Sequence, residues 1–155
     1  MKANDFEVPP MSEQEKIFLL HDKNPELIGL YEELRTRILL HGKIELRVTK
    51  DYINFKHPYK QWNAFLRQKE EKMGTLCNIY FRNNSIVVAL NTLGNKPRDP
   101  YYILRSTTSF GVCKYYANIE PGDNLDKIEG EIRFAIWCVS KEHRVVRINN
   151  KYISI

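Results

Sequence analysis

Between residues 24 and 56 the apolar residues change their spacing, and that change restricts the possible folds more than any other feature of the chain. Leu27, Tyr31, Leu34 and Ile38 recur at intervals of four, three and four, which draws one stripe along a helix, with Leu30 and Leu39 widening it. Asn24 suits the N-cap, and Pro25 suits the first helical position, where its missing N–H is not needed. Gly42 supplies the left-handed stop, so the helix is expected over about 25–41. Past it the period drops to two. Ile44, Leu46 and Val48 alternate with Glu45, Arg47 and Thr49, as a half-buried strand does. Lys50-Asp51 is a turn, and Tyr52 to Lys56 is its hairpin partner.

The remaining segments extend this pattern. Residues 1–11 read as a tail with a Pro-Pro stop. Ser12 and Glu15 then form a capping box ahead of Ile17 to Leu20, a short helix. Residues 57–74 do not alternate; they open with His57-Pro58 and close on Gly74, and are expected as a loop followed by a short helix over about 60–72. Leu76–Arg82 and Ser85–Asn91 form a hairpin around Asn83-Asn84, whose side chains tolerate positive φ. Residues 92–104, with Gly94, Pro97 and Pro100, read as a connecting loop, and Cys113–Ile119 as a fifth strand. Pro121 to Asn124 break the chain and cap a long helix carrying Leu125, Ile128, Ile132, Ala135 or Ile136, and Val139. His143–Ile148 and Lys151–Ile155 close the chain as an additional hairpin turned by Asn149-Asn150. The expectation is an α+β fold: one domain over 1–155, an antiparallel sheet of about five strands with the N-terminal and C-terminal helices packed on one face, plus the C-terminal hairpin.

Charge is unevenly distributed. Of a net +5, residues 1–42 contribute −3, residues 43–119 contribute +8 and residues 120–155 contribute 0. A local basic surface is the electrostatic footprint of a polyanion partner, and lysines at sheet edges that discourage aggregation are the competing explanation. No apolar run reaches the roughly 20 residues of a membrane-spanning helix, and MKANDFEVPP has no apolar core, so no membrane and a cytoplasmic location are expected. Cys77, Cys113 and Cys138 are odd in number, lack a C-x-x-C pair and sit in apolar stretches, which points to buried, reduced thiols. The four histidines are scattered without zinc spacing, so neither a metal nor a cofactor is expected.

Several stretches together resemble a bacterial domain family of uncharacterised function, found alone in small "predicted transport proteins". The same domain ends GmrSD-type modification-dependent restriction enzymes and proteins with a NucS-like nuclease. The matching pieces are LIGLYEELRTRIL, ELRVTKDYINFK, the strand ending ALN, Asp99-Pro100, the Arg105–Gly111 turn and the helix opened by DNLDKI, together spanning about residues 26–140. The chain departs from that pattern by an insertion at 57–74, by STTSFGVCKYY after Arg105 where relatives are glycine-rich with a tryptophan, and by the hairpin 143–155. A transport role has no support without a membrane segment. The resemblance implies a setting of DNA defence, such as restriction-modification or phage defence, or of DNA processing.

The candidate binding residues are Lys50, Lys56, Tyr59, Lys60, Trp62, Arg67, Arg105 and Lys114. Cations neutralise phosphates and rings stack on bases, so basic residues interleaved with aromatics suit nucleic acid or another polyanion. Trp62 packing on the core is the competing reading. Arg105 ahead of Ser106 to Ser109 could form an anion cradle. No catalytic set is assigned: there is no G-x-S-x-G elbow, no phosphate loop and no clustered carboxylates for metal-dependent nuclease chemistry. The expected function is a non-enzymatic nucleic-acid-binding or accessory module. Two alternatives stand beside it: a protein-interaction module that engages or inhibits a defence complex through the C-terminal hairpin, and an enzyme acting on nucleic acid or a small anion.

Overall fold

Both N-terminal helices start on side-chain caps. In the computed structural model, which describes residues 8–21, 23–96, 105–106, 110–141, 143–148 and 151–154, α1 spans Glu13–Leu20 and α2 spans Pro25–Leu39. The Ser12 hydroxyl accepts the Glu15 N–H at 3.1 Å while the Glu15 carboxylate accepts the Ser12 N–H at 3.1 Å, which completes the capping box. Asn24 Oδ1 accepts the Leu27 N–H at 2.9 Å. The stripe Leu27, Leu30, Tyr31, Leu34, Ile38 and Leu39 is buried, as its period requires.

The strands follow as β1 (Glu45–Val48), β2 (Ile53–Asn63), β3 (Gln68–Phe81), β4 (Ile86–Leu90), β5 (Arg105–Ser106) and β6 (Tyr115–Ile119), then α3 (Asp126–Ser140), β7 (His143–Ile148) and β8 (Lys151–Ser154). The strand order is β5-β6-β4-β3-β2-β7-β8, with β1 also on β2. All pairings are antiparallel except β2 with β7. The fold is α+β, with the helices on one face of an antiparallel sheet and the additional hairpin at the end of the chain.

The helix expected over 60–72 does not form. Those residues lengthen β2 and β3 into a hairpin arm that pairs from Lys56↔Thr75 out to Asn63↔Gln68. Ladder pairing decides this against local preference, because Trp62 finds Lys69 on one side and Arg144 of β7 on the other. The arm reaches roughly 23 Å past the last β1 pair, at about 3.3 Å per residue. β5 is a two-residue edge strand that the periodicity does not reveal. The expected capping of α3 by residues 121–124 reduces to Asn124 Oδ1 accepting the Asp126 N–H at 2.9 Å. The tail at 1–7, the loop at 97–104, Thr107–Ser109 and the Asn149-Asn150 turn lie outside the described residues.

Alternation assigns the faces. Ile53, Phe55, Cys77, Ile79, Ile86, Val88, Leu90, Ala117 and Ile119 point to the helices and form the core with the α2 and α3 stripes. A bulge falls where Phe55 pairs with Cys77 while the next residue, Lys56, pairs with Thr75. Leu76 is the extra residue, and it is buried beside Cys77 in the core. Beyond the bulge Gly74 faces α3 with little room. A Cβ there would lie 3.2 Å from the Tyr59 ring and 3.4 Å from Val139 Cγ1. Helices α2 and α3 are tied together by Arg37, whose guanidinium reaches Asp126 and Glu129 at 2.9 Å each and Glu33 at 3.3 Å.

One buried ionic network fastens the amino-terminal segment. The Glu15 carboxylate accepts from Tyr31 Oη at 2.6 Å, Arg35 Nε at 2.7 Å and Arg35 Nη2 at 3.0 Å. Arg35 also donates to the carbonyls of Pro9 at 2.7 Å and Pro10 at 3.2 Å. Burial pushes the Glu15 pKa up, but the bonds from Arg35, Tyr31 and the Ser12 N–H and the Arg35 charge outweigh it, leaving the carboxyl below its ordinary value. Tyr31, buried against that carboxylate, is pushed far up and stays a donor. A lowered folded pKa stabilises above the ordinary carboxyl range, and the contribution is lost as pH falls through the folded value. Replacing Glu15 with Gln leaves the buried guanidinium uncompensated and is expected to cost about 3 kcal/mol or more in urea unfolding at neutral pH. The loss of stability expected of the wild type as pH falls should be smaller in that variant. Gly74→Ala is expected to cost about 1 kcal/mol by the same measurement, because the Tyr59 ring must give way.

Candidate nucleic-acid interface

The second face of the sheet carries none of the described helices, and its side chains follow from the same alternation. In register, Arg105 pairs with Tyr116, Tyr116 with Ala89, Ala89 with Asn78, Asn78 with Asn54 and Asn54 with Arg47. One row of backbone positions therefore crosses the sheet from β5 to β1, with Arg47 at its β1 end. Beside it runs a chain of rings. Tyr52 and Tyr80 have centroids 5.0 Å apart, Tyr80 and Phe110 4.6 Å, and Phe110 and Tyr116 5.5 Å. All four rings are half-buried. Tyr52, Tyr80 and Tyr116 lie here because their neighbours Ile53, Ile79 and Ala117 point to the core.

Polar groups sit among the rings. Asn54 Nδ2 donates to Asn78 Oδ1 at 2.6 Å, and Asn78 Nδ2 contacts Cys113 Sγ at 3.7 Å. Asn54 Oδ1 is buried and has no hydrogen-bond partner among the described residues. Burial raises the Tyr80 phenol and pushes the Cys113 thiol up to about 12. Burial also raises Cys77 and Cys138, so all three thiols are protonated at neutral pH and none is a thiolate nucleophile.

The sheet disperses the residues singled out from the sequence. Lys56, Lys60 and Trp62 alternate onto the helix-free face, in register with Thr75, Glu71 and Lys69. Lys60 is exposed and lies 3.3 Å from Glu71. Tyr59 falls on the opposite side, against Gly74 beneath α3. Lys50 is exposed in the β1–β2 turn and Lys114 is exposed just before β6. Arg67 lies at the arm tip with φ 51°. Arg105 is in β5, four strands from β2 and roughly 20 Å from Lys56 at the usual strand spacing. Sequence reasoning missed Arg47, Tyr52, Asn54, Asn78, Tyr80, Phe110 and Tyr116. The period of two already placed most of these opposite the core, and that was the available signal.

The helix layer carries Glu13, Glu26, Glu33, Asp126 and Glu129 among the cations Lys16, Arg35, Arg37 and Arg133, while Glu45 and Glu71 lie on the helix-free face in register with Lys56 and Lys60. That layer also holds His41, whose Nε2 lies 3.9 Å from Glu129. Burial, with help from Arg133 and His57, keeps His41 below its ordinary pKa although Glu129 opposes them. Among the described residues no group of three or more His, Cys, Asp or Glu could hold a metal ion, and no helix is long and apolar enough to cross a membrane.

No family model, curated protein or solved structure matches the chain. The residues of the helix-free face are therefore the basis for any functional reading. A thiol reagent added to the native protein at neutral pH is expected to react slowly at all three cysteines and rapidly once urea unfolds the chain; fast native reaction at any one of them would contradict its burial.

Proposed function

We propose that this chain is a non-enzymatic nucleic-acid-binding module that receives a single strand on the helix-free face of its sheet. The observation that carries the reading is the run of rings Tyr52, Tyr80, Phe110 and Tyr116, bordered by Arg47 and Lys56 on that face. Unstacked bases bind on aromatic side chains of open sheets while flanking cations neutralise the backbone. A DNA-defence or DNA-processing role is the setting implied by the family resemblance described above.

A partner protein is the second reading, and β8 is the observation behind it. This strand ends the sheet order, and a terminal strand offers its outer main-chain groups to another chain.

Titrating the whole chain with fluorescent oligonucleotides across a range of salt tests the first reading. The wild type is expected to bind single strands with an affinity that falls steeply as salt rises. Arg47→Glu with Lys56→Glu is expected to weaken binding at least tenfold and to reduce the slope of log K against log salt by about 1.4, or two single-strand phosphates. Tyr52→Ala is expected to cost about 1–3 kcal/mol of binding with little change in that slope. Absent or salt-independent binding would overturn the proposal.

A further inference from the structure

The arm formed by β2 and β3 ends in a tip of unusual composition. Phe65 is 78% exposed and Leu66 57% exposed, the two largest apolar side chains of a turn that spans only Ala64–Arg67. The turn is braced. Asn63 Oδ1 accepts the N–H groups of Phe65 and Leu66 at 3.0 Å each, and Asn63 Nδ2 donates to Glu70 at 3.0 Å. An exposed apolar pair held on a braced turn is a feature that a partner would have to cover.

The surroundings decide the class of partner. Lys60, Arg67, Lys69 and Lys72 flank the tip. The acids of the arm are engaged, Glu70 by Asn63 and Glu71 by Lys60. At the foot of the tip is a cavity of about 200 Å³ lined by Gln61, Trp62, Asn63, Ala64, Phe65, Glu70 and Lys72, of which Gln61, Asn63, Glu70 and Lys72 alternate to the side opposite Lys56 and Lys60. A ring set among cations suits a nucleobase and its phosphates better than an acyl chain. Trp62, Lys60 and Lys56 then follow one another along the helix-free side of β2, toward Tyr52 and Tyr80.

We infer that the arm tip is a wedge for nucleic acid at a junction of double and single strand. Phe65 and Leu66 enter between stacked bases, and the freed strand runs past Trp62 along β2 onto the ring-lined face. Apolar side chains inserted into a base step with cations on the adjoining phosphates are a general way of opening a duplex. The inference rests on the nucleic-acid reading above and adds the form of ligand it would recognise.

The test is a duplex with a single-stranded overhang, carrying 2-aminopurine at the first paired position, titrated with the whole chain. The wild type is expected to raise the fluorescence of the probe as its base unstacks. Phe65→Ser with Leu66→Ser is expected to lose that rise while binding a plain single strand as tightly as the wild type, and Phe65→Tyr with Leu66→Met is expected to restore it. A junction bound without any rise, or a rise that survives in the serine double variant, overturns the wedge while leaving single-strand binding intact. Failure of the underlying reading looks different: no salt-dependent binding to any oligonucleotide. Stronger co-sedimentation with phosphatidylglycerol vesicles than binding to the junction, lost in the serine variant, would assign the tip to a membrane surface and overturn the proposal.

Discussion

β2 must be paired along both edges, and the rest of the structure depends on how that is done. Its inner edge runs with β3 from end to end, while its outer edge is shared between β1 at Ile53–Lys56 and β7 at Gln61-Trp62. A single bulge makes this workable. By admitting Leu76 as an extra residue, β3 buries Leu76 and Cys77 together and resets the alternation of everything that follows toward the tip. That reset places Gly74 under α3, where a Cβ would press on the Tyr59 ring, and it sends Lys56, Lys60 and Trp62 to the helix-free side. A ladder without the bulge would carry β3 side chains of the arm to the wrong faces, because strand side chains repeat every two residues.

The two faces of the sheet are also two electrostatic environments. On the helix side, charge is satisfied internally: Glu15 with Arg35 and Tyr31, and Arg37 with Asp126, Glu129 and Glu33. These contacts join α1 to α2 and α2 to α3, so the helix layer behaves as one unit packed on the core. On the other side, Asn54, Asn78, Val87, Ala89 and Cys113 are buried at the centre, half-buried rings border them, and Arg47, Lys56 and Lys60 lie at the rim and along the arm beside Glu45 and Glu71. The single-strand proposal rests on those bordering rings and rim cations.

Both caps, the two long apolar stripes, the hairpin around Asn83-Asn84 and the terminal hairpin were legible from residue types and spacing, because each is a local pattern. The burial of the three cysteines followed from their apolar neighbours in the same way. The arm was not legible. Residues 57–72 lack an apolar alternation because neither side of the arm is part of the main core, and its pairing depends on β7, which arrives some eighty residues later in the chain. β5, with two residues, is too short to leave a periodic signal.

The candidate site divides along the same line. The excess of positive charge between residues 43 and 119 and its mixture with aromatics were properties of the sequence alone. Tertiary structure decided which of those residues share a surface. It put Tyr59 beneath α3, moved Arg105 to the far side of the sheet, and joined Tyr52, Tyr80, Phe110 and Tyr116 into one run of rings. The reason is physical. Composition and period are set residue by residue, whereas a face is set by strand order and register, and these come from pairings between segments far apart in the chain.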